Sequence, residues 1–339
     1  LLAVARAPGL LGNTRARPTF ILSVDGASFR RLPDLAQDFV VPDGDAFVPT
    51  SLVRRDSQLV LAGHLVPLAS TDRDVDPVPA VDPVPDPAPD PAGRPVVYVS
   101  DDGARWRPLE LPDLPPLVAD SLDSSGVAPT EPGAGIPPTG IRPTEVIDAC
   151  GVGDQVSIVV ATADPAGLAW YTIGSDGLAV AHRARLAVPD PSGATIEPSF
   201  RASHCVHSPD GRLVIGGERT GDPVSPEVLS LPAAGPAVSG APSVVRSLLP
   251  LGDATTGELG GLGRGDGFWL AVGSAGPADD CRSARLWSSA DATTWNEQLS
   301  AAALVRGTGC GAATAAIRWR GRWLTAATVA DAAVVIQGP

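Results

Sequence analysis

The stretch Ser100-Asp101-Asp102-Gly103-Ala104-Arg105-Trp106 recurs with the same spacing at two other places in the chain. The other copies run from Ser23 to Phe29 and from Ser289 to Trp295, so the shared pattern is Ser-x-Asp-(Gly/Ala)-x-x-aromatic. Ser and Asp side chains hydrogen-bond nearby backbone amides in tight turns, and glycine takes the positive φ that hairpin turns need. We therefore predict that each copy closes a hairpin between two strands, with its aromatic side chain folded back over them.

A weaker fourth copy of this turn motif follows the strand-like run Ala169-Trp170-Tyr171-Thr172 and contains Asp176 and Gly177. We assign a structural role to the turn residues. They are Ser23, Asp25, Gly26, Phe29, Ser100, Asp102, Gly103, Trp106, Asp176, Gly177, Ser289, Asp291 and Trp295.

A second repeated element lies upstream of the turns and consists of a short apolar run that ends in a small residue. Continuous apolar runs are typical of strands buried on both faces. The final residues of successive copies are 58, 98, 56, 56 and 54 positions apart, which indicates a chain of similar units with one enlarged step. The copies are Leu1–Ala5, Leu59–Gly63, Ile158–Ala161, Leu213–Gly217, Trp269–Gly273 and Trp323–Ala327.

Phased in this way, the two elements resemble the Asp-box (BNR-repeat) β-propellers, the superfamily that includes the sialidases. The resemblance covers essentially the whole chain and implies one all-β domain, residues 1–339, built of radial four-stranded blades. It places the turn motif between strands 3 and 4 of a blade and the small-ended run at strand 2. Six copies of strand 2 predict six blades in a ring closed by both termini, and seven blades remain an alternative.

Charge and composition narrow the classes of partner. The net charge is −13, and all 25 basic residues are arginine, which disfavours nucleic acid and anionic membrane surfaces as partners. No run of 18 apolar residues is present, so we expect no membrane span within the chain. The absence of lysine and methionine suggests a bacterial gene of high GC content. The chain does not begin with Met, so we expect it to be processed or to begin inside a longer protein. Together with the family resemblance, this leads us to expect an exported protein that is secreted or anchored to the cell surface through a segment outside residues 1–339.

The four cysteines are an even number, which suggests disulfides in an exported protein. In the propeller that the resemblance implies, Cys150, Cys205 and Cys310 fall in loops between blades, and Cys281 falls in a loop between strands 2 and 3. All four would then share one face, and we expect the pairs Cys150–Cys205 and Cys281–Cys310. Four reduced thiols are the alternative.

A metal site is a weaker interpretation of the run His204-Cys205-Val206-His207. Two imidazoles and a thiolate can bind Zn²⁺, but no second cysteine follows at a C-x-x-C spacing. We therefore expect no metal and no cofactor.

Two insertions account for the enlarged step of the repeat. Residues 71–95 are acidic and rich in proline, which favours a stiff polyproline II projection. Residues 111–144 are rich in proline, glycine and serine. The resemblance places both on the cysteine-bearing face, where long loops are either functional or idle spacers.

The resemblance also raises an enzymatic alternative, a sialidase-like or endoglycanase-like glycoside hydrolase acting at the mouth of a central channel. The tyrosines Tyr98 and Tyr171 are predicted in strand 3, away from such a mouth. The carboxylates that could serve an endoglycanase are Asp148, Asp253, Asp279 and Asp280. Acidic residues are plentiful, so we assign no catalytic residue. We expect a non-catalytic scaffold of the cell envelope that binds protein or cell-surface glycan on its insertion-bearing face.

Overall fold

The computed structural model describes the greater part of the chain, and its regular secondary structure is β-strand throughout these residues. This confirms the all-β prediction. The described residues are 2–6, 18–22, 30–31, 41–42, 45–67, 93–115, 143–162, 167–186, 188–189, 195–196, 200–220, 223–231, 244–252, 254–265, 267–277, 282–298, 310–319, 322–329 and 332–338.

The described strands form six antiparallel sheets of three or four strands and one two-stranded sheet, and in each of them neighbours along the chain pair with each other. Sheet 1 contains β1 (Leu2–Arg6), β2 (Pro18–Leu22) and β3 (Arg30–Arg31). Sheet 2 contains β4 (Asp45–Arg55), β5 (Gln58–Pro67), β6 (Arg94–Ser100) and β7 (Arg107–Leu109). Sheet 3 contains β8 (Pro143–Val152), β9 (Gln155–Thr162), β10 (Gly167–Ile173) and β11 (Ala179–Arg185).

A small hairpin of β12 (Val188–Pro189) and β13 (Thr195–Ile196) follows. Sheet 4 contains β14 (Phe200–His207), β15 (Leu213–Arg219), β16 (Ser225–Leu231) and β17 (Val245–Leu248). Sheet 5 contains β18 (Thr256–Arg264), β19 (Trp269–Gly276), β20 (Ser283–Ser289) and β21 (Asn296–Glu297). Sheet 6 contains β22 (Gly311–Trp319), β23 (Arg322–Val329) and β24 (Ala332–Gly338).

Successive sheets pack through their first strands, as the blades of a β-propeller do around its axis. β4 contacts β8, β8 contacts β14, β14 contacts β18, and β18 contacts β22. Separate clusters of buried apolar side chains fill the spaces between sheets 2 and 3, sheets 3 and 4, sheets 4 and 5, and sheets 5 and 6. The small-ended runs fall in the second strands of sheets 2 to 6, as predicted. The closure of the ring and the final number of blades stay predictions.

Each first strand of sheets 2 to 6 carries a β-bulge at the same step of the repeat. A bulge leaves one residue unpaired and bends the strand. The unpaired residues are Thr50, Ile147, Ser203, Gly260 and Thr314.

The bulges explain why the apolar runs in the second strands of sheets 2, 4 and 5 end in glycine. Gly63, Gly217 and Gly273 each pair with the residue just before a bulge. A Cβ atom at these positions would overlap a backbone carbonyl oxygen of the facing strand, that of Val48, Arg201 or Glu258, respectively. Close backbone approach therefore requires glycine at these three positions of the repeat.

The strand order gives the sheets two distinct ends. At the insertion end, second strands finish and the next first strands begin; both predicted insertions leave the sheets here. The opposite end carries the turns between strands 1 and 2 and the turns between strands 3 and 4. We call it the box end, after the turn motif that lies between strands 3 and 4.

The bounds of the two insertions need correction. β6 already begins at Arg94 and β8 at Pro143, because the backbone of these residues pairs with the neighbouring strands. Leu114 is buried in the apolar cluster between sheets 2 and 3, so the start of the second insertion belongs to the core. Residues 68–92 and 116–142 lie outside the described residues.

Candidate ligand-binding cleft

A cleft of about 550 Å³ opens at the insertion end, between the first strands of neighbouring sheets. β4, β8, β14 and β18 supply most of its walls, and β9 and β15 supply the rest. The cleft carries three carboxylates, one guanidinium and two hydroxyls on a partly apolar surface. Its lining residues are Thr50, Glu145, Val146, Ile147, Ala161, Arg201, Ala202, Ser203, Glu218 and Glu258.

The charged side chains of the cleft occupy one layer of the repeat. Glu145, Arg201 and Glu258 each stand two residues before the bulge of their first strand, and they are 56 and 57 positions apart. Glu218 pairs with Arg201 across β14 and β15, which places it in the same layer. The bulges then supply the adjoining lining residues Thr50, Ile147 and Ser203. The propeller repeat thus brings distant residues to one place.

The carboxyl groups of Glu218 and Glu258 have different electrostatic surroundings. Burial raises the pKa of Glu218, and the negative charge of Glu258 raises it further, while Arg201 and Arg282 act in the opposite direction. Glu258 itself forms an ion pair with Arg282. Glu218 therefore keeps its proton more readily than an ordinary glutamate does.

A polar network joins four first strands one residue further toward the box end. Ser51 Oγ donates to Asp148 Oδ1 at 2.5 Å, and the Cys205 amide donates to Asp148 Oδ2 at 2.8 Å. The Ala149 amide contacts both Asp148 Oδ1 and Ser51 Oγ. The His204 ring interacts electrostatically with Asp148 and is hydrogen-bonded to the backbone of Gly260 on β18.

Burial dominates the protonation of this network. It raises the pKa of Asp148, against the lowering effects of the Ser51 and backbone hydrogen bonds and of His204. Burial also lowers the pKa of His204, against the raising effect of Asp148. The network therefore disfavours charge on both groups.

The Cys150–Cys205 disulfide is present, as predicted, with the two Cα atoms 5.7 Å apart. Its predicted position was wrong. Both cysteines lie within first strands, β8 and β14, and not in loops between blades, so the bond joins sheets 3 and 4 beside the polar network. Cys310 precedes β22 and is also disulfide-bonded. Its predicted partner, Cys281, lies outside the described residues, and that pairing stays a prediction.

The turn motifs lie between strands 3 and 4 at the box end. In the copy at Ser100, Asp102 Oδ1 accepts from the amides of Ala104 and Arg105, each at 2.8 Å. In the copy at Ser289, Asp291 Oδ1 accepts from Thr293 and Thr294, again at 2.8 Å.

The aromatic residues of both copies are buried, and their indole nitrogens close the turn. Trp106 Nε1 donates to the Gly103 carbonyl at 3.1 Å, and Trp295 Nε1 donates to the Ala292 carbonyl at 3.3 Å. The copy at Asp176 is looser, because its carboxylate accepts from Leu178 alone among the described contacts. The copy that holds Ser23, Asp25, Gly26 and Phe29 lies outside the described residues, between the paired strands β2 and β3.

Sequence reasoning missed one further turn of this kind. Ser208, Asp210 and Gly211 follow the same Ser-x-Asp-Gly spacing, but they connect strands 1 and 2 of sheet 4. Ser208 Oγ donates to Asp210 and accepts from the Arg212 amide. The motif therefore specifies a turn without specifying its place in a blade.

The two tyrosines serve packing. Tyr98 and Tyr171 lie in third strands and are buried. Tyr171 donates to the Pro112 carbonyl at 3.0 Å, and burial raises its pKa to about 12. Neither residue lines the cleft.

The remaining enzyme and metal candidates are not brought together. Of the four aspartates considered for endoglycanase chemistry, Asp148 lies next to the cleft, and Asp253, Asp279 and Asp280 lie outside the described residues. Cys205 is disulfide-bonded, so it cannot supply a thiolate to a metal beside His204 and His207. Within the described residues, no group of three metal-ligating side chains is assembled.

The chain is similar in structure to several solved proteins. A sialidase of Trypanosoma rangeli aligns at 12% identity and a TM-score of 0.48, over 99% of this chain and 50% of that chain. A protein from Lactobacillus plantarum aligns at 12% identity and 0.47, over 99% and 81%. The GH32 β-fructofuranosidase of Bombyx mori aligns at 11% identity and 0.40, over 88% and 59%.

The chain thus spans about half the length of that sialidase. No family model and no curated protein match the chain. The β-propeller assignment rests on the strand order and on the packing of the first strands. Among the described residues, no helix is long and apolar enough to cross a membrane.

Proposed function

We propose that this protein is a non-catalytic, exported β-propeller that binds a partner at its insertion end, with the cleft as the recognition site. The observation that carries the proposal is the position of the cleft, at the end of the sheets from which both insertions depart. Long loops around a cleft on a rigid scaffold are a common arrangement for binding.

The chemistry of the cleft favours a partner that presents a basic group. Glu145, Glu218 and Glu258 outnumber Arg201, and the whole chain is strongly acidic. A Lys or Arg side chain of a partner protein would meet complementary charge there. The hydroxyl-rich surface of a cell-envelope glycan is the competing ligand, since carboxylates also accept hydrogen bonds from sugar hydroxyls.

One observation favours a second function, glycoside hydrolysis. Such enzymes use a carboxyl group that holds a proton beside a second, ionised carboxylate. Glu218, whose pKa is raised by burial and by Glu258, has the character of the first group.

Export is supported by the Cys150–Cys205 disulfide. Disulfides persist in oxidising compartments and are rare in the cytosol. We therefore propose an extracytoplasmic protein, secreted or held at the cell surface, that acts as a binding or assembly scaffold of the envelope.

The test measures binding and turnover with one set of variants. Wild type, Glu218→Gln and Glu258→Gln are presented to arrays of basic peptides and of glycans, and Kd is measured for each hit. Glu110→Gln, an exposed position beyond β7, is the matched control. We expect peptide hits that each cleft variant weakens by about tenfold or more, and that salt also weakens.

Two results would overturn the binding proposal. Glu218→Gln and Glu258→Gln could both bind every hit as tightly as wild type does. Alternatively, wild type could hydrolyse an aryl glycoside with activity that Glu218→Gln abolishes and Glu110→Gln retains, which would establish the second function.

A further inference from the structure

We propose that two copies of this protein associate through the outer edge of sheet 6, where β24 of one copy pairs antiparallel with β24 of the other about a two-fold axis at Val335. This surface is separate from the cleft, because first strands build most of the cleft and β24 is the last strand of its sheet.

β24 lacks the neighbour that the equivalent strands of sheets 2 to 5 have. The third strand of each of those sheets pairs on its outer edge with a fourth strand, namely β7, β11, β17 or β21. β24 is the third strand of sheet 6 and pairs with β23. Within the described residues, no strand pairs with its other edge. Such an edge offers backbone amide and carbonyl groups to an added strand.

The sequence of β24 is that of an inner strand. The outermost strands of sheets 1 to 5 all contain charged residues, which oppose pairing with another edge. These residues are Arg30, Arg31, Arg107, Arg183, Arg185, Arg246 and Glu297. The seven residues of β24, Ala332–Gly338, contain no charge and no proline. β24 therefore lacks the features by which exposed edges avoid self-association.

Val335 of β24 is exposed where its counterparts are buried. In sheets 2, 4 and 5, the third-strand residue that follows the partner of the repeated glycine is at most 8% exposed; these residues are Val97, Val228 and Leu286. In sheet 6, Val335 follows Val334, which pairs with Ala327 at the equivalent place, and Val335 is 73% exposed. Covering this side chain would remove apolar surface from water, which favours association.

The charge pattern indicates that the partner strand is uncharged. In sheets 4 and 5, a charged residue of the third strand forms an ion pair with the fourth strand: Glu227 with Arg246 at 2.6 Å, and Arg285 with Glu297. Glu227 and Arg285 each pair with the repeated glycine, and the equivalent residue of β24 is Val334. A charged fourth strand would find no counter-charge at that position, whereas an uncharged apolar strand would fit.

A second copy of β24 meets this requirement. Two identical antiparallel strands are related by a two-fold axis, the commonest symmetry of homo-oligomers. An axis at Val335, the middle residue of the seven, pairs every residue of the strand. The two Val335 side chains then lie directly opposite each other on one face, with Cβ atoms about 5 Å apart, and cover one another. β1, from the other end of the chain, pairs with β2 and contacts β4, so it lies in a different sheet from β24.

The test measures the mass of the protein in solution against its concentration, by analytical ultracentrifugation. We expect wild type to pass from one copy to two as the concentration rises. Val335→Lys places like charges opposite each other across the axis, so we expect it to weaken association by about tenfold or more. Because Val335 is exposed, the single copy should keep its thermal stability. Val180→Lys is the matched control, since Val180 is an exposed valine of β11, an outermost strand with charged residues, and we expect it to associate as wild type does.

A charge swap tests the register of the two strands. We expect Val335→Glu to weaken association as Val335→Lys does, because like charges again face each other. An equimolar mixture of the two variants should restore the dimer, since opposite charges then meet across the axis. Native mass spectrometry identifies the mixed pair by its mass.

Three results would overturn the proposal. Wild type could remain a single copy at every concentration, as it would if another part of the chain or a different protein covered β24. Association could persist unchanged in Val335→Lys. Finally, the mixture of the two charged variants could stay monomeric, which would show that the Val335 side chains do not face each other.

Discussion

The two ends of the sheets are built on different principles. At the box end, short turns are fixed by local hydrogen bonds, such as those of Asp291 with the two amides that follow it. At the insertion end, strands from different sheets converge on a cleft that holds partly buried carboxyl groups. The difference indicates that neighbouring residues build the box end, whereas the packing of successive sheets builds the cleft at the insertion end.

Truncation of the aromatic residue of a turn motif should give the largest loss of stability. Trp295 is 7% exposed and packs in the cluster between sheets 4 and 5. We expect Trp295→Ala to lower the free energy of unfolding by about 3–5 kcal/mol, because the site cannot collapse around the cavity. Urea unfolding measures the loss, and the peptide hits of the cleft should keep their Kd values. A variant as stable as wild type would show that the buried aromatic side chain of this turn does not stabilise the fold.

A buried group at each end should make the stability depend on pH, and the two dependences should have opposite signs. His207, at the box end of β14, is buried and shares a hydrogen bond of 2.8 Å with Ser157, and burial lowers its pKa to about 4. The unfolded chain takes up this proton near pH 6.5, so it binds more protons than the folded chain between about pH 4 and 6.5. Stability from His207 is therefore present above pH 6.5 and is lost as pH falls, by about 3 kcal/mol in all.

Glu218 at the insertion end should act in the opposite sense. Its pKa is raised in the folded protein, so the folded state holds the proton more tightly and stability is lost as pH rises through and above the ordinary range for glutamate. Unfolding experiments from pH 4 to 8 on wild type, His207→Gln and Glu218→Gln measure both slopes. The comparison fails if His207→Gln leaves the loss of stability in acid unchanged.

The sequence predicted the box end better than the insertion end, for a physical reason. A turn is specified by neighbouring residues, so Ser100, Asp102 and Trp106 could be recognised together. The first strands lack such a local signal, since their bulges and glycines interrupt any regular hydrophobic period. Cys150 and Cys205 were therefore placed in loops, although both lie in strands.

The cleft escaped recognition because its residues are far apart in the chain. Glu145, Arg201 and Glu258 become neighbours only through the packing of successive sheets. Their spacing of 56 and 57 positions does match the repeat, and the first strands, once aligned on the second strands, would have revealed one charged layer. The feature of the sequence that indicates the cleft is therefore the periodic recurrence of charged residues, and not a periodic recurrence of hydrophobic ones.

Two copies of the turn motif should differ in strength by a measurable amount. Asp291 accepts from Thr293, Thr294 and Ser289, whereas Asp176 accepts from Leu178, and Val180, the residue at the place of the aromatic, is exposed. We expect Asp291→Ala to cost about 1–2 kcal/mol and Asp176→Ala under about 1 kcal/mol. Equal losses in urea unfolding would mean that the number of hydrogen bonds does not set the strength of the turn.

The smallest effect is expected where the motif departs from glycine. Ala292 occupies the position of Gly103 and Gly177, and it shares their positive φ, at 62° against 75° and 76°. Alanine in this conformation is strained by about 1 kcal/mol, so Ala292→Gly should relieve that strain. The Ala292 side chain is fully buried, however, and removal of its methyl group forfeits about 0.8 kcal/mol of apolar burial, while glycine also adds entropy to the unfolded chain. These terms nearly cancel, so we expect the free energy of unfolding to change by less than about 0.5 kcal/mol.

A clear gain in stability would show that the methyl group packs poorly, and a clear loss would show that burial, and not backbone strain, decides which residue closes the turn.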